Sequence, residues 1–151
     1  MGGLLIIGYG NPLRGDDGAG PEAARRVERL GLPGVVVIAC HQLLPEHAEI
    51  LSRVGHAIFV DAHRELARGP IQVSALTPSD DARMGSHASD PAALMALSRA
   101  LYGRAPAATL IAVPAVCFDL KEELSVLAAA GVDQAVAKIR RLHASFQAAG
   151  T

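Results

Sequence analysis

Five short apolar runs, separated by longer amphipathic ones, constrain this chain more than any other feature. LLII (Leu4 to Ile7), VVVIAC (Val35 to Cys40), AIFVDAH (Ala57 to His63), IQVSAL (Ile71 to Leu76) and TLIAV (Thr109 to Val113) each have strand length and β-branched content. VVVIAC reads as a strand buried on both sides. Between the runs, PEAARRVERL (Pro21 to Leu30) reads as a helix, with Pro in its first turn and Ala23, Val27 and Leu30 on one face. PEHAEILSRV (Pro45 to Val54) is a second helix. Ser89-Asp90-Pro91 starts a third, with Leu94, Leu97 and Leu101 on one stripe. Residues 122–147 form the last, broken at Gly131, its apolar face made of Val132, Val136, Ile139 and Phe146. Residues 77–89, polar and holding Gly85 and His87, read as a loop. Alternating β and α elements with apolar strands predict an α/β fold: a twisted, mostly parallel sheet of about five strands with helices on both faces. With 151 residues and no linker or repeat, the expectation is a single three-layer domain over 1–151.

Composition narrows the function classes. Hydrophobic residues make up 50% while aromatics are 3% and Trp is absent, so the core must be aliphatic. A net charge of −1 leaves no basic excess to release counterions, which argues against nucleic acid as a partner. No apolar stretch reaches the ~18 residues of a membrane span, and no basic, signal-like leader is recognisable. A cytoplasmic location is the expectation. Cys40 and Cys117 lie in apolar runs without CxxC spacing and read as buried free thiols.

The stretch GYGNPLRGDDGAG (Gly8 to Gly20) looks at first like a phosphate cradle. Leu13 stands where GxGxxG needs its third glycine, and no Lys-Ser/Thr pair makes it a P-loop. Asp16 and Asp17 would also repel a pyrophosphate at that helix start. Taken alone, the two carboxylates have two readings: they favour the helix dipole, or they meet a cation. Asp61 ends an apolar strand, where a charge is costly to bury unpaired. In an open α/β sheet the loop after the first strand and the end of the third can share one crevice. Asp17, Asp61 and His87 would then offer two carboxylates and an imidazole to a divalent ion such as Ni²⁺ or Zn²⁺, though they are far apart in sequence and form no local motif.

GYGNPLRGDDGAG, HQLLPEHAEIL, the VDA strand end, the SH pair and FDLKEELS, taken in this order, resemble the hydrogenase maturation endopeptidases along nearly the whole chain. The resemblance implies a phosphorylase/hydrolase-like fold and removal of the carboxy-terminal extension from the large-subunit precursor of nickel–iron hydrogenase. It implies that the family's metal ligands fall on Asp17, Asp61 and His87, the first often being Glu in the family. The nickel they grip would already sit in the precursor, making its insertion a licence for cutting; another divalent metal could take its place in isolation. Asp16 matches a second acidic position, either holding the turn or adjusting charge at the site, and counts with Asp17 and Asp61 among the candidate catalytic carboxylates. Asn11 is expected to bond the turn backbone, Arg14 to pair with an aspartate or the precursor, and His63 to be a surface histidine, a fourth ligand or one standing behind the ligands. Hydrolysis could then use nickel to activate water with a carboxylate base, or carboxylates alone, as an aspartyl protease does. MGSHAS is no nucleophile elbow, which speaks against a serine route. A non-catalytic nickel-sensing chaperone and a nucleoside- or nucleotide-acting enzyme are the alternatives.

Overall fold

A computed structural model describes residues 2–80 and 90–149. The strands are β1 (Leu4–Tyr9), β2 (Val35–Cys40), β3 (His56–His63), β4 (Gln72–Leu76) and β5 (Ala107–Pro114). The helices are α1 (Ala19–Leu30), α2 (His47–Leu51), α3 (Pro91–Tyr102) and α4 (Val126–Ala149). The strands form one sheet in the order β2-β1-β3-β5-β4, parallel except for β4. This is the expected three-layer α/β architecture.

Strand alternation divides the core into two layers. Leu4, Ile6, Ile58, Val60, Ile111 and Val113 pack under α1 and α4, against Ala23, Val27, Val132 and Ile139. Leu5, Ile7, Tyr9, Ala57 and Phe59 face the other way, toward Ala48 and Leu51 of α2 and Leu94 and Met95 of α3. The chain leaves β1 toward β2 and returns on the other side of β1 to form β3. The carboxyl ends of β1 and β3 therefore border the topological switch point, where open α/β sheets collect ligands.

Several expectations are corrected. β2 is an edge strand, not one buried on both faces: Val36 is exposed because the five-residue α2 does not reach it. α2 is shorter than Pro45 to Val54. Leu30 and Leu101, placed on apolar stripes, end up exposed in the last turns of their helices. Both thiols are free, as expected, but half-buried, and Cys117 lies beyond the end of β5. α4 runs unbroken through Gly131, where Val113 Cγ1 lies 2.7 Å from the place a Cβ would take. That glycine serves close helix–strand packing and does not end the helix.

Asp90 starts α3 as the sequence predicts, its Oδ1 accepting from the N–H groups of Ala92 (3.0 Å) and Ala93 (3.2 Å). Asp90→Ala is expected to lower the urea midpoint by an amount equivalent to about 1 kcal/mol, with the m-value unchanged.

Candidate active site

The site begins where β1 stops. Gly10, at φ +142°, turns the chain away from the sheet; a Cβ there would run into the Asp17 carbonyl. The chain then makes a single 3-10 turn, Gly15–Gly18, that feeds directly into α1. Within this turn Asp17 Oδ2 accepts from the Asn11 N–H at 2.7 Å, and Asn11 Oδ1 accepts from the Leu13 N–H at 2.9 Å. Asn11 thus bonds the turn backbone as expected. Asp17 remains half-buried, and among the described residues its Oδ1 accepts no hydrogen bond.

Asp61 lies on β3 one residue beyond Val60, which pairs with Gly8, so it stands level with Tyr9 on the neighbouring strand. The sheet's alternation turns it to the α2/α3 side. It lines an open cleft of about 350 Å³ with Tyr9, His63, Leu76, Asp90, Pro91 and Leu110. Asp17 therefore rests against Gly10 and Asp61 stands level with Tyr9, successive residues at the end of one strand. His63 Nε2 lies 3.6 Å from Asp61 Oδ2, an ion-pair distance. The Asp61 carboxylate beside it raises the imidazole pKa above 6.5; burial opposes this, and the charge of Glu65 adds to it. The Tyr9 phenol is pushed well above 10.0, first by burial, then by the charge of Asp61 and hydrogen bonding to it.

Asp16 has a different surrounding. It is fully buried, and its carboxylate accepts four bonds from the loop between β5 and α4. Oδ2 takes the N–H of Val116 (2.8 Å), the N–H of Cys117 (3.1 Å) and the hydroxyl of Ser125 (2.7 Å); Oδ1 takes the Ser125 N–H (2.7 Å). Burial alone would raise its pKa, yet these bonds outweigh it and bring the value below 3.8. Of the two roles expected of Asp16, this geometry supports holding the turn, since no oxygen is left facing a cleft. Arg14 is exposed; no ion pair joins it to an aspartate among the described residues, and its backbone bridges to Lys121. The Arg64 guanidinium sits 4.2 Å over the Phe118 ring, joining the chain after β3 to this same loop.

A carboxylate whose folded pKa is depressed stabilises the fold above its unfolded value and loses that contribution as pH falls through the folded one. Stability is therefore expected to drop as pH falls below 3.8, and Asp16→Asn to flatten that part of the acid limb while lowering stability at neutral pH. Urea midpoints at stepped pH values measure both.

Among the described residues no group of three or more His, Cys, Asp or Glu side chains is arranged to hold a metal ion. The third member of the sequence-derived set, His87, lies outside the described residues; Asp90, the first described residue after it, lines the Asp61 cleft. Tyr9 and Asp90 were missed as cleft residues. The alternation Leu5-Ile7-Tyr9 already aims a phenol from the carboxyl end of β1, so Tyr9 had a signal; Asp90 had none beyond its cap.

Solved structures align over nearly the whole chain. Nickel–iron hydrogenase maturation protease HybD from Thermococcus kodakarensis is 24% identical with a TM-score of 0.70, covering 93% of this chain and 99% of that one. Hydrogenase 2 maturation peptidase from a Thaumarchaeota archaeon is 26% identical with a TM-score of 0.70, covering 93% and 97%. This chain has the hydrogenase maturation protease fold. The resemblance drawn from the GYGNPLRGDDGAG turn is thereby borne out. The fold also reaches the hydrogenase maturating endopeptidase HybD from E. coli, at 17% identity and a TM-score of 0.68 over 91% of this chain and 89% of that one. No protein-family model and no curated protein sequence matches the chain. Among the described residues, no helix is long and apolar enough to cross a membrane.

Proposed function

We propose that this chain is a hydrogenase maturation endopeptidase, cutting the carboxy-terminal extension from the large-subunit precursor of a nickel–iron hydrogenase after nickel is in place. The observation that carries the reading is that Asp17, in the turn that follows β1 and folds back on Gly10, and Asp61, near the end of β3, belong to the carboxyl ends of adjacent parallel strands that border the switch point of this fold. Nickel belongs to the substrate. Asp17, Asp61 and His87 are the groups that would recognise it, with Asn11 fixing Asp17 and His63 beside Asp61. The protein's own part in hydrolysis is to hold carboxylates where a water can lose a proton and a leaving amine can gain one. Asp17 and Asp61 are accessible enough for that task; Asp16 is not. A partly exposed Asp61 in an open cleft also suits a protein substrate, which must lay a chain segment across the crevice. The proposed site of action is the cytoplasm.

The deciding experiment incubates the purified chain with nickel-loaded and nickel-free precursor and weighs the products by mass spectrometry. A shortened product from the nickel-loaded precursor alone is expected. Intact precursor held in a stoichiometric complex would replace the protease reading with a nickel-sensing chaperone. Cleavage of both forms would remove nickel as the licence.

A further inference from the structure

The 3-10 turn that carries Asp17 is fastened to a segment about a hundred residues away. Beyond the four bonds to the Asp16 carboxylate, three backbone bonds run between the same two segments. The Asp16 N–H donates to the Cys117 carbonyl (2.7 Å), the Gly15 N–H to the Lys121 carbonyl (2.8 Å), and the Lys121 N–H to the Leu13 carbonyl (3.0 Å). Gly15 is held at φ +55°, and a Cβ there would lie 2.6 Å from the Cys117 carbonyl oxygen. The two loops are therefore one unit.

Ser125 is the member with two functions. Its hydroxyl donates to Asp16 Oδ2 and accepts from the Ala128 N–H at 3.1 Å, so it joins the turn to the first turn of the 24-residue α4. α4 is itself seated on the sheet through Val132 and Ile139. The orientation of Asp17 is thus referred to the rigid core along the path Asp17, Asp16, Ser125, α4.

We propose that Asp16 and Ser125 are positioning residues, a buried clasp through which the loop before α4 sets the orientation of the Asp17 carboxylate. The proposal rests on the reading of Asp17 as a site residue. It makes the loop between β5 and α4 part of the working site although, among the described residues, no hydrogen bond or ion pair joins its side chains to the Asp17 carboxylate. A hydroxyl is sufficient for the role, so Ser125→Thr should preserve it and Ser125→Ala should weaken it. Ser125→Ala leaves Asp16 Oδ2 two backbone donors and Oδ1 one, and is expected to fold.

The test compares wild type, Ser125→Ala, Ser125→Thr and Asp17→Ala in the full chain with two readouts. The first is hydrogen exchange of the Asn11 amide, whose partner is the Asp17 carboxylate. Its protection should fall in Ser125→Ala toward that of Asp17→Ala and return in Ser125→Thr. The second is precursor cleavage, where kcat should fall about tenfold with KM unchanged in Ser125→Ala, the pattern of a misplaced group rather than lost binding. Wild-type Asn11 protection in a folded Ser125→Ala variant overturns the clasp. A protection change in a chain that cleaves no precursor upholds the clasp and overturns the protease reading instead.

Discussion

Gly20→Ala is expected to leave little folded protein, although alanine is the better helix former. On an open helix the exchange would stabilise by roughly 1 kcal/mol. Gly20 is the second residue of α1, and a Cβ there would lie 2.5 Å from the Val60 carbonyl oxygen, 2.6 Å from that of Tyr9 and 2.8 Å from the Tyr9 nitrogen. All three are backbone atoms of β1 and β3, so no side chain can swing aside. The only relief is to lift α1 off the sheet, which undoes the packing of Ala23 and Val27 on Ile6 and Val60. A cost above about 4 kcal/mol follows, a large share of the 5–15 kcal/mol that holds a domain of this size. Gly8 meets α1 from the other side, its missing Cβ occupied by the Gly20 carbonyl. Gly103→Ala is the control: it is left-handed at φ +80° but has open space around it, so its cost should be limited to about 1 kcal/mol of backbone strain. Circular dichroism and urea titration of both variants measure the contrast. A Gly20→Ala protein as stable as Gly103→Ala would mean that α1 does not approach the sheet this closely.

The same glycines explain which parts of the fold could be read from sequence. β1, β2, β3 and β5 announce themselves because each must be apolar enough to pack a face against helices. The identity of VVVIAC as an edge strand was not readable, because strand order is a property of where α1 carries the chain. α4 starts at Val126 because Ser125 is held by Asp16, a partner 109 residues distant, so helix periodicity alone placed its start too early. Leu30 and Leu101 satisfy a helical stripe but fall in the last turns of their helices and stay exposed.

For the candidate site, the strand-end rule singles out Asp61 and the position of the DDG turn after β1 singles out Asp17. The division of labour between Asp16 and Asp17 was not legible. Two adjacent aspartates look alike in sequence; what separates them is whether Val116, Cys117 and Ser125 reach the carboxylate, a fact of tertiary structure. His63 was legible as a neighbour of Asp61, whereas the Tyr9 phenol on the same side of the sheet is marked in sequence only by the Leu5-Ile7-Tyr9 alternation.

That division supports the second large prediction, in which adjacent aspartates fail in opposite ways. Asp17→Ala and Asp61→Ala should each cut precursor processing by at least about 10²-fold, the scale on which a group acting at the reacting centre is felt. Both should fold, since each side chain is partly exposed and Asp17 gives up one hydrogen bond among the described residues, that from the Asn11 N–H. His87→Ala should match them in processing. Asp17→Glu keeps the charge and should retain part of the rate. Asp16→Ala should instead lose stability first, because it removes the acceptor of three backbone N–H groups and a hydroxyl, at about 1–3 kcal/mol for each group left unsatisfied. Urea midpoints and cleavage rates plotted together should therefore separate the variants: Asp17 and Asp61 displaced along the rate axis alone, Asp16 along the stability axis together with a smaller loss of rate from the misplaced Asp17 carboxylate. A folded Asp17→Ala protein that trims precursor at the wild-type rate would remove Asp17 from the chemistry. An Asp16→Ala protein with wild-type stability would mean that its four hydrogen bonds do not hold the turn.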